Sequence, residues 1–163
     1  MFKKILIANR GEIAVWIIRA CKEWGISTVA VHSDVDRESM HVRMADESVC
    51  IGSHQPANSY LNIPNLMSAI ELTNSDAVHP GYGFLSENAN FAKILEDNKI
   101  SFIGASSKHI KMMGDKIQAK KIAKENGLPV IEGSEGGVTD IAQAKELCKN
   151  IGFPVLIKAS GGG

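Results

Sequence analysis

Short apolar runs alternate with amphipathic stretches along most of this chain of 163 residues. The runs have the length of buried strands, and the stretches between them show the apolar spacing of helices. This alternation is typical of parallel strands, because parallel neighbours must be joined by a long crossover that is usually a helix. It predicts an α/β fold, a Rossmann-like parallel sheet with helices on both faces. The predicted strands cover residues 4–8, 28–32, 48–51, 77–79, 101–103, 130–131 and 155–158.

A change of domain is predicted near Gly114, after the fifth strand–helix pair. Five such pairs already make a doubly wound domain. Residues 1–113 would form this domain, and residues 114–163 would form a linker and the start of a second domain. The last predicted strand runs into glycines that end at Gly163. We therefore expect the sequence to be one piece of a larger protein.

The charge balance and the cysteines narrow the classes of partner and compartment. Eighteen basic residues balance eighteen acidic ones, which argues against nucleic acid or an anionic membrane as a partner. The amino-terminal segment has too few apolar residues for a signal peptide, and no run is long enough to span a membrane. The three cysteines show no metal-binding spacing. They are typical of reduced core residues, so a cytoplasmic protein is expected.

The first predicted helix, residues 12–24, separates into two faces at 100° per residue. Opposite the predicted core face, Glu12, Arg19 and Glu23 form a narrow charged stripe with Trp16 in its middle. Trp16 is either an isolated exposed aromatic or an anchor for a partner surface. The predicted core face consists of Ile13, Ile17, Ala20, Cys21 and Trp24.

The turn after the first strand invites comparison with a dinucleotide-binding site, but the glycine fingerprint is incomplete. Only Gly11 is present where three glycines are needed, and Asn9, Arg10 and Glu12 would crowd a pyrophosphate. A structural strand-to-helix turn is the favoured interpretation. Arg10 and Glu12 could still face a crevice at the carboxyl end of the sheet.

Residues 79–88, His-Pro-Gly-Tyr-Gly-Phe-Leu-Ser-Glu-Asn, are the densest candidate for a site. They follow a strand and precede a helix for which Ser86 is the predicted N-cap. A loop stabilised by its own glycines and cap would explain part of this pattern. It would not explain why His79, Tyr82 and Glu87 occur together. A small-molecule pocket at the carboxyl edge of the sheet is therefore the favoured interpretation.

Two lysines are candidates for phosphate contacts. Lys116 stands at the start of a predicted helix, where most lysines are simply solvated. Lys158 follows three apolar residues predicted to be buried, so its charge would need an anionic partner unless the side chain reaches water. A phosphate held between Lys158 and the N–H groups of the following glycines would supply that partner.

Five peptides, in this order, carry a resemblance to a known family. They are IANRGEIA at 7–14, SYLN at 59–62, HPGYGFLSEN at 79–88, MGDK at 113–116 and IKASGGG at 157–163. The chain resembles the amino-terminal part of biotin carboxylase, most closely the stand-alone subunit of bacterial acetyl-CoA carboxylase. The match extends from end to end of the chain.

The resemblance implies an ATP-grasp ligase that uses MgATP and bicarbonate to carboxylate biotin on a carrier protein, the first step towards malonyl-CoA and fatty acids. The present residues would form a pre-ATP-grasp domain and the beginning of the ATP-grasp domain. Lys116 and Lys158 would contact nucleotide phosphates. Gly161, Gly162 and Gly163 would open the lid loop over ATP. Tyr82 and Glu87 would lie at the edge of the biotin and bicarbonate pocket.

The same resemblance places the family's metal ligands beyond residue 163, so no metal site is expected here. ATP, Mg²⁺ and biotin would serve the parent enzyme, and none is expected to bind tightly to this chain, which is predicted to be inactive alone. The first helix would meet a homodimer partner through Trp16, Arg19 and Glu23. At Trp16 relatives usually carry an arginine. A biotin carboxyl carrier protein and a carboxyltransferase would be the parent's other partners.

The same residues suggest three alternative functions: two stay open, and one is disfavoured. The chain could belong to a pyruvate or propionyl-CoA carboxylase, since their biotin carboxylase parts are closely similar. It could also be a non-catalytic module that self-associates through the Trp16 face. A dinucleotide-binding protein is disfavoured by the glycines missing around Gly11.

Overall fold

A computed structural model describes residues 1–114, 116–131, 133–134 and 137–157, apart from the side chain of Lys116. Two 3₁₀ turns lie in these ranges, at Asp34–Asp36 and Pro56–Asn58. The strands are β1 Lys4–Ile7, β2 Ser27–Ser33, β3 Glu47–Gly52, β4 Ala77–His79 and β5 Ser101–Phe102. The helices are α1 Gly11–Glu23, α2 Met40–Met44, α3 Ile63–Thr73, α4 Ala89–Asp97, α5 Ser107–Gly114, α6 Lys116–Glu125 and α7 Ile141–Ile151.

The strands form one parallel sheet in the order β3-β2-β1-β4-β5. Ile5 of β1 pairs with Thr28 on one side and with Ala77 on the other, so β1 is the central strand. The chain first builds the sheet towards β3 and then returns to add β4 on the opposite side of β1. This reversal of strand order between β1 and β4 is the place where open α/β sheets form their ligand crevice.

Helices cover both faces of the sheet, because alternate residues of each strand point to opposite sides. Leu6 of β1 and Ala8, which directly follows β1, belong to the core that contains residues of α3 and α4. Ile5 and Ile7 belong to a second core, which contains residues of α1. The near-continuous apolar strands therefore follow from burial on both faces. The predicted α/β fold with a parallel sheet and helices is confirmed.

Helix α1 buries a different face from the predicted one. Its buried residues are Ala14, Val15, Ile18 and Cys21. Only Cys21 belonged to the predicted core face, and Trp24 is 71% exposed. Apolar residues cover most of the circumference of this helix, so periodicity alone does not decide which arc packs on the sheet. The predicted exposure of Trp16 is correct, since its exposed fraction is 70%.

Two predicted strands are wrong in their described residues. Residues 130–131 are irregular, and so are residues 155–157, of which Leu156 and Ile157 are exposed. A strand needs a neighbour that satisfies its N–H and C=O groups, and the sheet pairings in the described part of the chain end with β5. An apolar run is therefore not sufficient by itself to predict a strand. Lys158, the last residue of the predicted strand, lies outside the described residues.

The cysteines are free, but only Cys21 is buried as predicted. Cys50 is exposed on β3, and Cys148 on α7 is partly exposed. Cys50 lies on a strand at the edge of the sheet, where one side lacks the cover that an inner strand has. Among the described residues, no helix is both long enough and apolar enough to cross a membrane.

The chain forms two compact units, Met1–Ile110 and Lys111–Gly163. The first contains the sheet and both cores. In the described part of the second, α6 and α7 occur without a fully buried residue. Helix α5 continues through Gly114, across the predicted domain boundary. That boundary stays a prediction.

Candidate functional site

The candidate site lies where the chain leaves the carboxyl ends of β1, β2 and β4. Asn9 and Arg10 follow β1, and Asp36 ends the 3₁₀ turn that follows β2. After β4 comes an irregular segment, residues 80–88, before α4 begins. We call residues 81–88 the 81–88 loop. Because parallel strands end on one edge of the sheet, these separate segments meet there.

Asn9 connects the turn after β1 to the segment after β4. Its side chain is buried, and its Nδ2 donates hydrogen bonds to the carbonyl oxygens of Pro80 at 2.8 Å and Tyr82 at 2.9 Å. Its Oδ1 accepts a hydrogen bond from the backbone N–H of Arg10 at 2.8 Å. The side chain thus uses both its donor and its acceptor capacity. Asn9 was expected only to crowd a pyrophosphate, and this structural role was missed.

Gly81 is required at the start of the loop for two reasons. Its φ of +64° lies in the left-handed region, which side chains rarely adopt. A Cβ at this position would also lie 2.6 Å from Ile13 Cγ2 and 2.8 Å from Asn9 Nδ2. The backbone N–H of Gly81 donates to His79 Nδ1 at 3.0 Å. Burial lowers the pKa of His79, so the neutral ring that this acceptor requires is favoured.

Tyr82 and Glu87, the two residues predicted at a pocket edge, lie on the same loop and are both exposed. Glu87 precedes α4 rather than beginning it. The N-cap is Asn88, whose side chain accepts a hydrogen bond from the N–H of Phe91 at 2.9 Å, so the predicted cap at Ser86 is wrong. Both residues can cap helices, and the turn geometry of the loop decides between them. The pocket roles of Tyr82 and Glu87 stay predictions.

A polar cluster around Asp36 was not predicted as a unit. Asp36 Oδ2 accepts hydrogen bonds from the hydroxyl of Tyr60 at 2.6 Å and that of Ser33 at 2.8 Å. Arg10 Nη1 lies 3.3 Å from the same oxygen. The Tyr60 hydroxyl in turn accepts a hydrogen bond from the Ser33 N–H at 3.0 Å. The cluster joins the ends of β1 and β2 to the segment before α3.

The cluster stabilises the charged carboxylate. Burial disfavours the ionised form of Asp36, but hydrogen bonds from Tyr60, Ser33 and Arg10 outweigh it and lower the pKa of this carboxyl. Burial, and then the hydrogen bond to Asp36, raise the pKa of the Tyr60 hydroxyl. Asp36 is therefore a fixed negative charge and Tyr60 a fixed donor at neutral pH. Such a pair is suited to holding groups in place rather than to proton transfer.

Two aromatic rings and Arg10 complete the site. The rings of Tyr60 and Phe84 are stacked, with centroids 5.1 Å apart and planes inclined by 17°. The guanidinium carbon of Arg10 lies 5.3 Å from the Tyr60 centroid and 5.7 Å from that of Phe84. The sequence carried a weak signal for Arg10, which follows β1. It carried no local signal for Asp36 or for the approach of Tyr60 to Phe84, because these contacts join distant segments.

The residues predicted to contact nucleotide phosphates lie outside the described residues, except for the backbone of Lys116. Lys116 begins α6, but its side chain is outside the description. Lys158, Gly161, Gly162 and Gly163 also lie outside the described residues. Within that part of the molecule, no three His, Cys, Asp or Glu side chains are grouped so that they could hold a metal ion.

A separate groove of about 340 Å³ lies between β3 and α3. Its amide, Asn65, already donates to the carbonyl oxygen of Ile51 at 2.8 Å. The strand order places β3 at the edge of the sheet, separated from β4 by β2 and β1. The groove is therefore separate from the site around the 81–88 loop, and we assign it no function.

The outer face of α1 carries the predicted interface residues. Trp16, Arg19 and Glu23 are exposed, as predicted for a face that does not pack on the sheet. Ala20 and Trp24 are exposed as well, so Trp16, Ala20 and Trp24 form a row at four-residue spacing. Two exposed tryptophans on one helical row make a larger apolar surface than the sequence predicted. The interface itself stays a prediction.

Two protein-family models together match nearly the whole chain. Residues 1–110 match the model of the biotin carboxylase N-terminal domain. Residues 115–163 match the ATP-binding domain of the carbamoyl-phosphate synthase L chain. The expected order, a biotin carboxylase amino-terminal domain followed by the start of an ATP-binding domain, agrees with these matches.

Individual proteins give the same result. The chain is 57% identical to the biotin carboxylase of Haemophilus influenzae over 164 residues, covering 100% of this chain and 37% of that protein. It is 53% identical over 162 residues to the human mitochondrial propionyl-CoA carboxylase alpha chain, covering 99% of this chain and 22% of that protein. The chain thus spans about a third or less of the length of the relatives that it matches.

Solved structures agree with the fold. The biotin carboxylase of Campylobacter jejuni in complex with β,γ-ATP superposes with a TM-score of 0.95 at 46% identity, covering 100% of this chain and 36% of that one. The biotin carboxylase domain dimer of Hydrogenobacter thermophilus 2-oxoglutarate carboxylase, with MgADP, ADP and bicarbonate, gives 0.93 at 48% identity, with the same coverage.

Proposed function

The chain belongs to the biotin carboxylase family, and from this we propose that it is the amino-terminal part of an enzyme that carboxylates carrier-bound biotin with MgATP and bicarbonate. The observation that carries the proposal is the end-to-end match to biotin carboxylase at 57% identity. The intact enzyme would be an ATP-dependent carbon–nitrogen ligase. It would catalyse the first step of acetyl-CoA carboxylase, which leads to malonyl-CoA and fatty acids.

Within this proposal, Tyr82 and Glu87 form one edge of the biotin and bicarbonate pocket. Both are exposed on the 81–88 loop, which follows β4 beside the switch point of the sheet. An aromatic ring offers an apolar surface for the rings of biotin, while a carboxylate can accept hydrogen bonds. The hydrogen bonds of Asn9 to Pro80 and Tyr82 support this role, because they hold the loop backbone against β1.

We assign the phosphate contacts of ATP to Lys116, Lys158, Gly161, Gly162 and Gly163. The match of residues 115–163 to an ATP-binding domain supports the assignment. Lysine charges and glycine N–H groups would neutralise and orient the triphosphate while ATP supplies the phosphoryl group. The described part of the chain contains no grouped metal ligands, so we assign no magnesium ligand to it.

A chimera tests the function directly. This chain would replace the corresponding 164 residues of the Haemophilus influenzae biotin carboxylase. We expect ADP formation that depends on both biotin and bicarbonate. Introducing Tyr82→Ala should raise the KM for biotin more than that for ATP, whereas Leu72→Ala, an exposed apolar residue on α3, serves as the control. A folded chimera without biotin-dependent ADP formation would contradict the proposal.

Alone, the 163-residue chain should release no phosphate from ATP in response to biotin. The chain covers only 37% of the Haemophilus influenzae biotin carboxylase and 36% of the Campylobacter jejuni one. Biotin-stimulated phosphate release by the purified chain would contradict the expectation that it lacks a complete catalytic site. The same assay on the active chimera provides the positive control.

We further propose that the outer face of α1, with Trp16, Arg19 and Glu23, binds a second copy of the chain. The Hydrogenobacter neighbour is described as a dimer, and the two exposed tryptophans supply an apolar centre that charged residues surround. Trp16→Arg should reduce the dimer fraction in sedimentation equilibrium. Lys108→Arg, on α5, is a control that leaves this face unchanged. An equal dimer fraction at every concentration would rule out a role for Trp16.

The remaining partners follow from the family. A biotin carboxyl carrier protein would present biotin, and a carboxyltransferase would choose the final acceptor. The bacterial relative at 57% identity favours acetyl-CoA carboxylase, but the propionyl-CoA carboxylase relative at 53% keeps a second acceptor open. The free cysteines support a cytoplasmic location.

A non-catalytic module that self-associates is the second candidate function, and the row of exposed tryptophans on α1 favours it. A chimera that forms dimers but shows no biotin-dependent ADP formation would identify this second function.

A further inference from the structure

We propose that Arg10, Asp36 and Tyr60 hold Phe84 and thereby fix the shape of the 81–88 loop, with Arg10 as the positioning residue. We call these four residues the aromatic clamp. The inference deepens the proposed function, on which it rests, because the loop carries Tyr82. None of the clamp residues is assigned contact with a substrate.

The loop contains backbone strain that needs an explanation. Phe84 has a φ of +39°, although bulky side chains rarely adopt positive φ values. Gly83, with a φ of +71°, precedes it, so two consecutive residues are in this region. A residue without glycine's freedom keeps such a conformation only when its surroundings enforce it. Contacts of the Phe84 side chain must therefore compensate.

Those contacts come from Tyr60 and Arg10. The Tyr60 ring stacks on Phe84 at 5.1 Å, and the Arg10 guanidinium lies 5.7 Å from the Phe84 centroid. The same guanidinium lies 5.3 Å from the Tyr60 centroid, so one cation contacts both rings. A planar guanidinium suits this arrangement, because it combines cation–π attraction with stacking.

The ring of Tyr60 is a fixed surface rather than a mobile one. Its residue is completely buried, and its hydroxyl donates to Asp36 at 2.6 Å while accepting the Ser33 N–H at 3.0 Å. Asp36 also fixes Arg10, whose Nη1 lies 3.3 Å away. Asp36 thus orients both partners of Phe84 at once. Removing the charge of Asp36 would loosen the clamp without touching the loop.

The clamp works together with two other anchors. Asn9 binds the carbonyl oxygens of Pro80 and Tyr82, and Asn88 caps α4 at the exit of the loop. Between these anchors, the Ser86 N–H donates to the Gly83 carbonyl at 2.9 Å. Phe84 lies in the middle of this span, where neither anchor reaches. The clamp therefore determines the direction in which the loop leaves Tyr82.

Amide hydrogen exchange on the full 163-residue chain tests the clamp. The informative amides are those of Ser86 and Asn88, which donate hydrogen bonds within the loop, and that of Gly81, which donates to His79 Nδ1. Arg10→Lys keeps the charge but removes the planar group, so these amides should exchange about fivefold faster, as expected when the guanidinium no longer stacks on the two rings. Arg43→Lys, an exposed arginine on α2, is the matched control and should change nothing.

A spectroscopic readout separates positioning from general stability. Protons of the Arg10 side chain over two ring faces should resonate upfield of ordinary arginine protons. Phe84→Leu keeps an apolar side chain but removes one ring, so the upfield shift should shrink and Ser86 should exchange faster. The unfolding midpoint from tryptophan fluorescence should stay close to that of the wild type in Arg10→Lys, because the Arg10 side chain is 43% exposed. It should fall in Phe84→Leu, because Phe84 packs against the core.

Each result decides the proposal. Unchanged loop exchange in Arg10→Lys or in Phe84→Leu would overturn it. Faster exchange throughout β1 and β4 as well would also overturn it, since the residue would then support the whole sheet. These measurements use neither biotin nor ATP, so their failure leaves the proposed function standing. An inactive chimera with an intact Arg10 upfield shift would remove the function and keep the clamp.

Discussion

The unit Met1–Ile110 and the described part of Lys111–Gly163 contain helices of similar length but differ in what surrounds them. In the first unit, α3 and α4 bury residues such as Leu66 and Phe91 completely against the sheet. In the second, α7 has a capped amino terminus at Asp140 but no buried residue. Helical hydrogen bonds and caps are local, whereas a core requires paired strands that come from distant parts of the chain.

This difference has a consequence for the candidate site. The contact between Asn9 and Pro80 joins residues 71 positions apart, and that between Tyr60 and Asp36 joins residues 24 apart. Such contacts hold a site only because the sheet fixes the strand ends. The described residues of Lys111–Gly163 contain the helix cap at Asp140 and the ion pair between Lys121 and Glu125 at 3.9 Å, both between near neighbours. Exposed pairs of this kind contribute little to stability.

The largest effect should come from removing a buried leucine in the first unit. Leu66→Ala is expected to lower the free energy of unfolding by about 3 kcal/mol, because the side chain is fully buried and leaves a cavity. Leu128→Ala, in the second unit, should change it by less than about 0.5 kcal/mol, because that leucine is 60% exposed. Urea unfolding measures both effects, because tryptophan fluorescence reports on the first unit through Trp16 and Trp24, and helical circular dichroism reports on both units. Equal losses of unfolding free energy in Leu66→Ala and Leu128→Ala would contradict the difference in burial between the two units.

Next in size is the substitution of Gly81. Gly81→Ala should destabilise the first unit by about 2 kcal/mol, because the new methyl group would overlap Ile13 and Asn9 in addition to the backbone strain. Gly11→Ala is the matched control. Gly11 has a similar φ of +59°, but a Cβ there has nothing within 4 Å, so only the strain of about 1 kcal/mol remains. If Gly11→Ala lowered the free energy of unfolding more than Gly81→Ala, crowding at Gly81 would not be what determines the conformation of the loop.

Helix caps should have smaller effects that differ between the units. Asn88→Ala is expected to cost about 1 kcal/mol in the same fluorescence assay, whereas Ser86→Ala should stay within about 0.5 kcal/mol. Asp140→Ala removes the cap of α7, where Asp140 accepts hydrogen bonds from the N–H groups of Ala142 and Gln143. It should reduce the circular dichroism of helix without moving the fluorescence midpoint. A shift of that midpoint would show that the two units unfold together.

The smallest effect should be the pH dependence that Asp36 contributes. Its pKa is lower in the folded chain than the ordinary value of about 3.9, so its stabilising contribution is complete above that value. The contribution disappears as the pH falls through the lower folded pKa. Asp36→Asn should therefore unfold more easily at neutral pH, and the difference from the wild type should narrow below about pH 4. Asp34→Asn, on the same turn, is the control. A difference that is constant with pH would contradict the charged role of Asp36.

Sequence periodicity predicted the elements of the first unit well, because burial on both faces of the sheet leaves a strong apolar signal. Strand 77–79 has the predicted bounds, and the other strands of the sheet differ by one residue at one or both ends. The same signal failed for residues 130–131 and 155–157, which are apolar but have no strand beside them among the described residues. Apolar runs indicate that a strand is possible, and only a paired neighbour makes one.

The candidate site was predicted in part. Residues 79–88 stood out because glycine, aromatic and acidic residues are concentrated in one short segment after a strand. The partners of that segment were not predictable in this way, because Asn9, Asp36 and Tyr60 are ordinary residues in their local contexts. Periodicity also misplaced the packed face of α1, since only contact with the sheet distinguishes Ile18 from Trp24.

The sequence by itself determined the α/β class, the alternation of strands and helices along the first unit, the glycine-rich loop after β4 and membership in the biotin carboxylase family. These are properties of local pattern and of peptides that can be compared directly. Only the tertiary structure decided that Arg10 lies over Tyr60 and Phe84, and that Asn9 holds Pro80 and Tyr82. The physical reason is that such contacts depend on which strands are neighbours, and strand order is a property of the whole sheet.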